Sequence, residues 1–486
     1  MDKRYKKLTK NTIIYSLGVF GSKFVAFFLV PLYTNVLSKS NYGVADLITT
    51  ISGLLLPLFS LSLGESILFY GVRSDSQEQR DKYYKTGFLL ILTSCLALII
   101  FSPLFLFYGS IKDYIFFLTG YAVLEIIRNY LRCYTKAQDK NLFYSIDCII
   151  YVVVIASLSI LLLLVFHFGI YGYLWAYIIA EFMSIVFLLI VNKGFKKFFY
   201  VKFDKQVAIE MVRYSLPLIL NSISWTIANS SDKVMLELLI DGEEGLESVG
   251  LYTAASKIPT MLSTIAGLFC QAWTISTYLE IGNKDSVFYS KVFYYFSFAM
   301  LICCSGMLLI TRPFMRIYVG SEFQPIPPSQ DSPGSPGAVV FVPFLIVATI
   351  FQSYATYFGS IIQSGGKNLF MMISTLTAAI VNLILNYFLI VFYGIQGACI
   401  STAVSFLIVF AMRYFFSKKV FCFPTKPLKL VFLLIIVIGQ AISVVYEFHY
   451  FLIGCLALWL ILILNTDTIV DLLKFISGSF KRIRKV

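Results

Sequence analysis

Long apolar segments recur along the whole sequence, and they limit what the chain can fold into more than any other feature. The first, Asn11 to Val36, is long enough to cross a bilayer as a helix and carries a single charge, Lys23. Only 13% of the 486 residues are charged, whereas about a quarter are charged in soluble proteins. The sequence therefore predicts an all-α integral membrane protein with fourteen transmembrane helices, near 12–36, 43–70, 85–110, 113–138, 141–167, 170–192, 207–240, 248–278, 287–311, 339–363, 368–393, 395–417, 428–446 and 448–466.

Basic residues are concentrated in alternate loops and at both ends of the chain. They cluster at 3–10, 193–205, 418–429 and 481–485, whereas the intervening loops hold little beyond Lys39, Lys112, Arg312 and Arg316. The positive-inside rule then predicts that both termini are cytoplasmic. The net charge of +13 is thus a topology signal and an attraction to anionic membrane lipids, and no nucleic-acid partner is expected.

Two segments depart from the pattern of apolar spans. Residues 324–337 are rich in Pro, Gly and Ser and predict an external loop that does not pack. The tail, 467–486, spaces apolar residues helically beside basic ones, which predicts an amphipathic helix on the inner membrane surface.

Two short sequence matches indicate an internal duplication. Lys140-Asn141-Leu142-Phe143 is repeated at 367–370, and Gly169-Ile170-Tyr171-Gly172 has its counterpart at 394–397. The matches predict two six-helix lobes, 1–192 and 207–417, joined by a basic cytoplasmic linker at 193–206. Because six spans per lobe insert each lobe the same way up, the lobes are expected to be related by a pseudo-two-fold axis along the membrane normal. Residues 418–466 then add helices 13 and 14.

Charged residues inside the predicted spans are the candidate functional residues. Lys23, Lys233 and Lys257 come from both lobes, and a charge at the bilayer centre costs about 2.5–3.5 kcal/mol even on lenient scales. Two interpretations remain open: ion pairs with acids such as Asp46 or Glu65, or a hydrated cavity between the lobes with a cationic wall. Further polar or ionisable candidates on these spans are Asn229, Thr260, Glu125, Arg128, Asp147 and Asp232. Glu125 and Arg128 are spaced i, i+3 on one helix, so that they can neutralise each other.

Several chemistries lack the residues they need. The sequence has no C-x-x-C motif, no Walker A motif and only two histidines, each at the end of an apolar run. Metal binding, ATP hydrolysis and histidine-based catalysis are therefore not expected, and the chain is not predicted to be an enzyme. A cationic cavity suits an anionic, hydroxyl-rich cargo moved by alternating access. Coupling to H+ or Na+ is open, with Asp46, Glu65 and Asp147 as the candidate residues.

Three stretches resemble one transporter family: residues 11–47, the segment RYSLPLILNSISWTIANSSDKVML at 213–236, and VGLYTAASKIPTM at 249–261. They are similar to polysaccharide transporters, the O-antigen flippases of the multidrug/oligosaccharidyl-lipid/polysaccharide exporter superfamily. The resemblance implies two lobes around a central cavity. It also implies flipping of an undecaprenyl-diphosphate-linked oligosaccharide to the outer leaflet of a bacterial inner membrane, for lipopolysaccharide or other envelope polysaccharide, beside a polymerase machinery. Lys23, Lys233 and Lys257 match the basic cavity positions of such flippases.

Three other functions compete with this interpretation. A lipid II flippase has the same class of cargo and fourteen spans, but is expected to use arginines in its cavity. A cation-coupled drug exporter has an acidic cavity and twelve spans as a rule. A membrane enzyme, such as a sugar polymerase or ligase, needs a large external loop with acid, base, Arg or His groups, and 324–337 carries no such catalytic set.

Overall fold

The fold is described from a computed structural model, which covers residues 21, 24–74, 76–193, 203–280, 285–326, 336–472 and 474. Lys23, most of the basic linker and the end of the tail lie outside these ranges. The elements of the described part are all helices. They form two compact units. The first contains residues up to Ala254 together with Gly320–Phe323 and Leu383–Gly394, and the second contains the rest. The lobe boundaries drawn from the repeat stay a prediction.

The first unit is built from helices of the first half of the chain and the helix that follows the linker. A hydrophobic cluster fills its interior, in which Tyr84, Tyr130 and Tyr134 are fully buried. The hydroxyl of Tyr130 donates to the carbonyl oxygen of Tyr84 at 2.8 Å. The buried hydroxyl therefore has a hydrogen-bond partner within the aromatic core. The helices are α1 (Phe24–Val36), α2 (Lys39–Phe59), α3 (Leu63–Arg73), α4 (Gln77–Phe101), α5 (Ile115–Ala137), α6 (Asn141–Ile160), α7 (Gly169–Val191) and α8 (Lys205–Leu239).

The second unit contains the remaining helices, two of which it shares with the first. Gln440 is fully buried there, accepting a hydrogen bond from the Ser305 hydroxyl at 2.6 Å and donating to the Ser305 carbonyl at 2.9 Å. The helices are α9 (Glu243–Glu280), α10 (Ser286–Tyr318), α11 (Val342–Ser364), α12 (Asn368–Lys418), α13 (Pro427–Val445), α14 (Tyr450–Leu464) and the short α15 (Thr466–Leu472). Helices α9 and α12 begin or bend within the first unit.

Many of these helices are long and apolar enough to cross a membrane. The described residues contain eight such helices, or nine if α14 and α15, which meet at 64°, count as one span. Helices α5, α8 and α9 are not among them, and each carries charged residues along its length. The 51-residue α12 counts once, although Gly394 interrupts it with φ 53° and ψ −133°. The chain is thus a multi-pass membrane protein, whereas the count of fourteen stays a prediction.

The two copies of the sequence repeat adopt the same backbone turns. Lys140 and Lys367 precede their helices with nearly identical angles, φ −86° and ψ 48° against φ −90° and ψ 50°. The residue before each lysine has a left-handed conformation: Asp139 in one copy and Gly366 in the other. Gly169 and Gly394 have φ of 54° and 53°. Matching turns at matching positions support the duplication predicted from the sequence.

Glycines let α2 and the start of α9 approach closely within the first unit. A Cβ added to Gly43 would overlap the carbonyl oxygen of Leu246, and one added to Gly250 would overlap the carbonyl oxygen of Lys39. The contact is reciprocal, because each glycine meets the carbonyl four residues before the other. Such reciprocity is the local pattern that a two-fold produces.

Two details of the predicted spans are wrong. The second span, expected at 43–70, breaks between α2 and α3, where Leu61 and Ser62 adopt left-handed conformations with φ of 47° and 48°. Arg312 and Arg316 lie in the last turns of α10 rather than in a loop. The Arg312 guanidinium donates to the Val444 carbonyl oxygen at 2.7 Å, which explains how this charge is accommodated in the helix.

The two irregular segments are described only in part. In the loop predicted at 324–337, the side chain of Gln324 donates to the carbonyl oxygens of Met315 and Val319 at 3.0 Å each, which fixes the start of the loop on the end of α10. Residues 327–335 lie outside the described ranges. The predicted amphipathic tail begins as the short helix α15, and its basic end lies outside them as well.

Candidate functional site

A buried carboxylate and a lysine form the centre of the candidate site in the first unit. Asp46 on α2 is 5% exposed, and its Oδ2 atom lies 2.5 Å from Nζ of Lys233 on α8. The Thr253 hydroxyl on α9 donates to the same oxygen at 2.9 Å. Gly43 and Gly250 lie one turn before Asp46 and Thr253, so the close approach of α2 and α9 allows this bond. The sequence left an ion pair with Asp46 open as the alternative to a cationic cavity, and in the structure the lysine paired with Asp46 is Lys233.

The neighbouring residue of α8, Asp232, has a different set of partners. It accepts a hydrogen bond from the Tyr252 hydroxyl and another from the Asn386 side-chain amide, each at 2.6 Å. All three side chains are buried. Asp232 therefore joins α8, α9 and the 383–394 segment of α12 within the first unit, and it fixes the turn of α8 that carries Lys233.

The remaining predicted ligands are placed as follows. The Asn229 amide donates to the Trp225 carbonyl at 2.7 Å, one turn along its own helix. Thr260 is exposed on α9, and its hydroxyl donates to the Ser256 carbonyl at 2.7 Å. Lys257 is half-buried on α9 and belongs to the second unit. Lys23 lies outside the described residues.

A second group of charges, which we call the α5–α7 charge cluster, consists of Arg128, Arg132, Asp147 and Glu181 in the first unit. Arg128 donates to Glu181 at 2.9 Å and lies 3.7 Å from Asp147, which in turn is 3.4 Å from Arg132. Asp147 and Glu181 are at most 1% exposed. Two cations thus balance two anions, and the cluster ties α5, α6 and α7 together.

Glu125 and Arg128 form no direct ion pair among the described residues, which corrects the i, i+3 pairing expected from the sequence. Its carboxylate instead accepts a hydrogen bond from the Ser52 hydroxyl on α2 at 2.6 Å. Arg128 turns to the acids of α6 and α7 and covers the ring of Tyr151 at 3.5 Å. A guanidinium is planar, so Arg128 can stack on the Tyr151 ring while its two ends meet the carboxylates of two other helices.

Glu65 is exposed in the first turn of α3, after the break that ends α2. A carboxylate is favourable there because the N-terminus of a helix carries partial positive charge. A coupling role for Glu65 stays a prediction.

Sequence reasoning missed Glu181 and Tyr252. Glu181 is the only carboxylate of the 23-residue helix α7, and a lone acid inside an apolar span is itself a signal of a buried partner. Tyr252 gave no such signal, because the other 31 tyrosines of the chain make one more tyrosine uninformative.

Long apolar helices that are joined by buried ion pairs define the class of protein: a multi-pass α-helical membrane protein. The sequence matches the family of polysaccharide biosynthesis proteins over residues 8–277, more than half of the chain, and the protein belongs to that family.

Known proteins of similar sequence and fold agree with this class. An uncharacterized membrane protein of Methanocaldococcus jannaschii is 21% identical over 84% of this chain and 97% of its own length. The fold is similar to that of the lipid II flippase MurJ in an inward closed conformation, with a TM-score of 0.66, 17% identity, and coverage of 94% of this chain and 100% of that one. An inward-facing MATE multidrug transporter of the MOP superfamily gives a TM-score of 0.61 at 14% identity, covering 82% and 97%.

Proposed function

We propose that the protein is a flippase that moves an undecaprenyl-diphosphate-linked oligosaccharide from the cytoplasmic to the outer leaflet of a bacterial inner membrane. Membership in the polysaccharide biosynthesis family carries the proposal, because a lipid-linked sugar must cross the membrane before it is polymerised outside. The transporter fold supplies a means of alternating access. Fourteen spans with both termini in the cytoplasm belong to the same proposal.

The diphosphate would be held by Lys23, Lys233 and Lys257, with Asn229 and Thr260 as further substrate-binding residues. In this conformation Lys233 is neutralised by Asp46 at 2.5 Å. A phosphate that binds Lys233 must therefore replace the carboxylate, which leaves Asp46 to take up a proton or to keep its bonds from Thr50 and Thr253. This exchange makes Asp46 the residue through which H+ coupling would act.

A lipid II flippase is the second candidate, since its cargo is also a polyprenyl-diphosphate sugar and the fold is similar to that of MurJ over nearly the whole chain. A drug exporter is less well supported. Its usual cargo is cationic, and the cationic side chains of Lys233 and Lys257 would repel such a cargo. O-antigen and other envelope polysaccharides differ in their sugars, whereas the charged residues of the site would contact the diphosphate that their lipid-linked precursors share. The proposal therefore does not choose between them.

Reconstituted vesicles loaded with fluorescent undecaprenyl-diphosphate oligosaccharide, or with lipid II, test the proposal. We expect the undecaprenyl-diphosphate oligosaccharide to be transported faster than lipid II. Lys23→Ala, Lys233→Ala and Lys257→Ala should each lower it, whereas Lys418→Ala, an exposed lysine at the end of α12, should not. Equal rates for the three variants and the wild type would contradict the cationic site, and preference for lipid II would assign the second function.

A further inference from the structure

The second unit contains a cavity of about 320 Å³ at the ends of three helices. Helices α10 and α13 begin at this cavity, and α15 forms another side of it. Its charged and aromatic lining consists mainly of Lys291, Tyr294, Lys426, Lys429, Asp467 and Asp471. Neither the charged residues of the predicted spans nor the family resemblance pointed to it.

Three lysines of the lining, Lys291, Lys426 and Lys429, form no ion pair with the two lining aspartates in the part of the chain that the structure describes. Lys426 instead lies 5.6 Å from the ring centroid of Tyr294, and Lys429 is half-buried. Three lysines against two aspartates leave the lining with a net positive charge, so an anion close to the lysines would be stabilised.

The start of α13 adds to the positive potential. Lys426 occupies the N-cap position without a side-chain hydrogen bond, and Pro427 follows it at the first helical position. The first N–H groups of the helix therefore lack an acceptor from the cap, and a 19-residue helix places the positive end of its dipole there.

The cavity lies where α10 and α13 begin, and both helices are long and apolar enough to span a membrane. We therefore expect the cavity to lie near the membrane surface. Leu428, in the first turn of α13, is 87% exposed, which is favourable in contact with lipid and costly in water. The positive-inside pattern predicts this side to be cytoplasmic.

We propose that this cavity binds the phosphate of a membrane phospholipid headgroup. The lysines hold the phosphate, and Asp467 and Asp471 accept hydrogen bonds from the hydroxyl or ammonium group of the same headgroup. The lipid then joins α15 to α10 and α13. The proposal does not depend on the substrate of the flippase.

Native mass spectrometry tests the proposal. The full chain in detergent is mixed with dioleoyl phosphatidylethanolamine, and the fraction of protein that retains one phospholipid is measured. Lys426→Gln with Lys429→Gln should weaken retention of one phospholipid by about tenfold, since each lysine at a membrane surface contributes appreciably. The matched pair Lys418→Gln with Lys419→Gln removes the same charge from exposed lysines that do not line the cavity, and should leave retention unchanged. Lys426→Arg with Lys429→Arg should retain the lipid.

Three outcomes would overturn the proposal. An equal loss in both glutamine pairs would indicate general surface attraction. Equal retention of dioleoylglycerol, which lacks phosphate, would indicate binding by the acyl chains alone. Binding of inorganic phosphate or glycerophosphoethanolamine as strong as that of the lipid would assign the cavity to a soluble ligand. If the glutamine pair does not fold, Lys291→Gln, at an exposed lysine of the same lining, gives the same readout.

Discussion

Lys233 Nζ lies 2.5 Å from Asp46 Oδ2, and the Thr253 hydroxyl donates to that same oxygen. One carboxylate oxygen thus receives donors from α8 and α9. A buried pair of this kind is strongly held only while both partners remain charged. Any anion that binds Lys233, and any proton that reaches Asp46, therefore acts on the same contact.

Asp46→Asn should strengthen binding of undecaprenyl diphosphate and slow its transport. The substitution removes the competitor for Lys233 but keeps an acceptor for Thr253, so the phosphate no longer has to displace a charge. About a tenfold gain in affinity corresponds to the loss of roughly 1.4 kcal/mol of competition. Titration of the detergent-solubilised protein with undecaprenyl diphosphate measures the affinity, and a vesicle assay measures transport.

Asp241→Asn is the matched control for that substitution, because Asp241 is an exposed acid between α8 and α9. It should change neither quantity. Unchanged affinity in Asp46→Asn itself would show that Lys233 does not meet the phosphate.

The α5–α7 charge cluster should be a stability element of the first unit. Arg128→Met leaves Glu181 buried without its 2.9 Å partner, and breaking such a pair costs about 3–5 kcal/mol. Arg128→Met combined with Glu181→Met removes both charges and should cost clearly less. Thermal unfolding in detergent measures the difference.

Arg316→Met is the control for the cluster, since Arg316 is an exposed arginine of α10. Its unfolding temperature should match that of the wild type. A double variant less stable than Arg128→Met alone would mean that the pair is not the reason for the loss.

The sequence predicted the helical membrane class, the family and most of the ionisable residues, but few of their partners. Helical spacing relates residues one turn apart, which is why it paired Glu125 with Arg128. The true partner, Glu181, is 53 residues away, and only the packing of α5 against α7 brings it to Arg128. The break after α2 was equally hidden, because Leu61 and Ser62 adopt left-handed conformations that neither residue type favours.

Gln440→Leu should destabilise the second unit through Ser305. The leucine fills a similar space but leaves the buried Ser305 hydroxyl and carbonyl without their bonds of 2.6 and 2.9 Å. An unsatisfied buried polar group costs about 1–3 kcal/mol. Adding Ser305→Ala removes the hydroxyl and should recover part of the loss in a thermal unfolding assay. No recovery would show that the loss arises from packing of the leucine.

Gly43→Ala and Gly250→Ala should each disrupt the approach of α2 to α9. Their methyl groups would overlap the carbonyl oxygens of Leu246 and Lys39, and backbone atoms cannot move aside as a flexible side chain can. The helices must separate, so Thr253 loses its bond to Asp46 and both stability and transport should fall. Each single variant should have a similar effect, because the contact is reciprocal.

Two glycines of the same helices provide the controls for this prediction. Gly53 on α2 and Gly267 on α9 have no atom within 4 Å of an added Cβ. Gly53→Ala and Gly267→Ala should be neutral or should stabilise their helices by about 0.5–1 kcal/mol, as alanine does within a helix. Thermal unfolding and the vesicle transport assay, run on all four variants, separate the two effects. If Gly43→Ala behaves like Gly53→Ala in both assays, the close approach of α2 and α9 is not what positions Asp46.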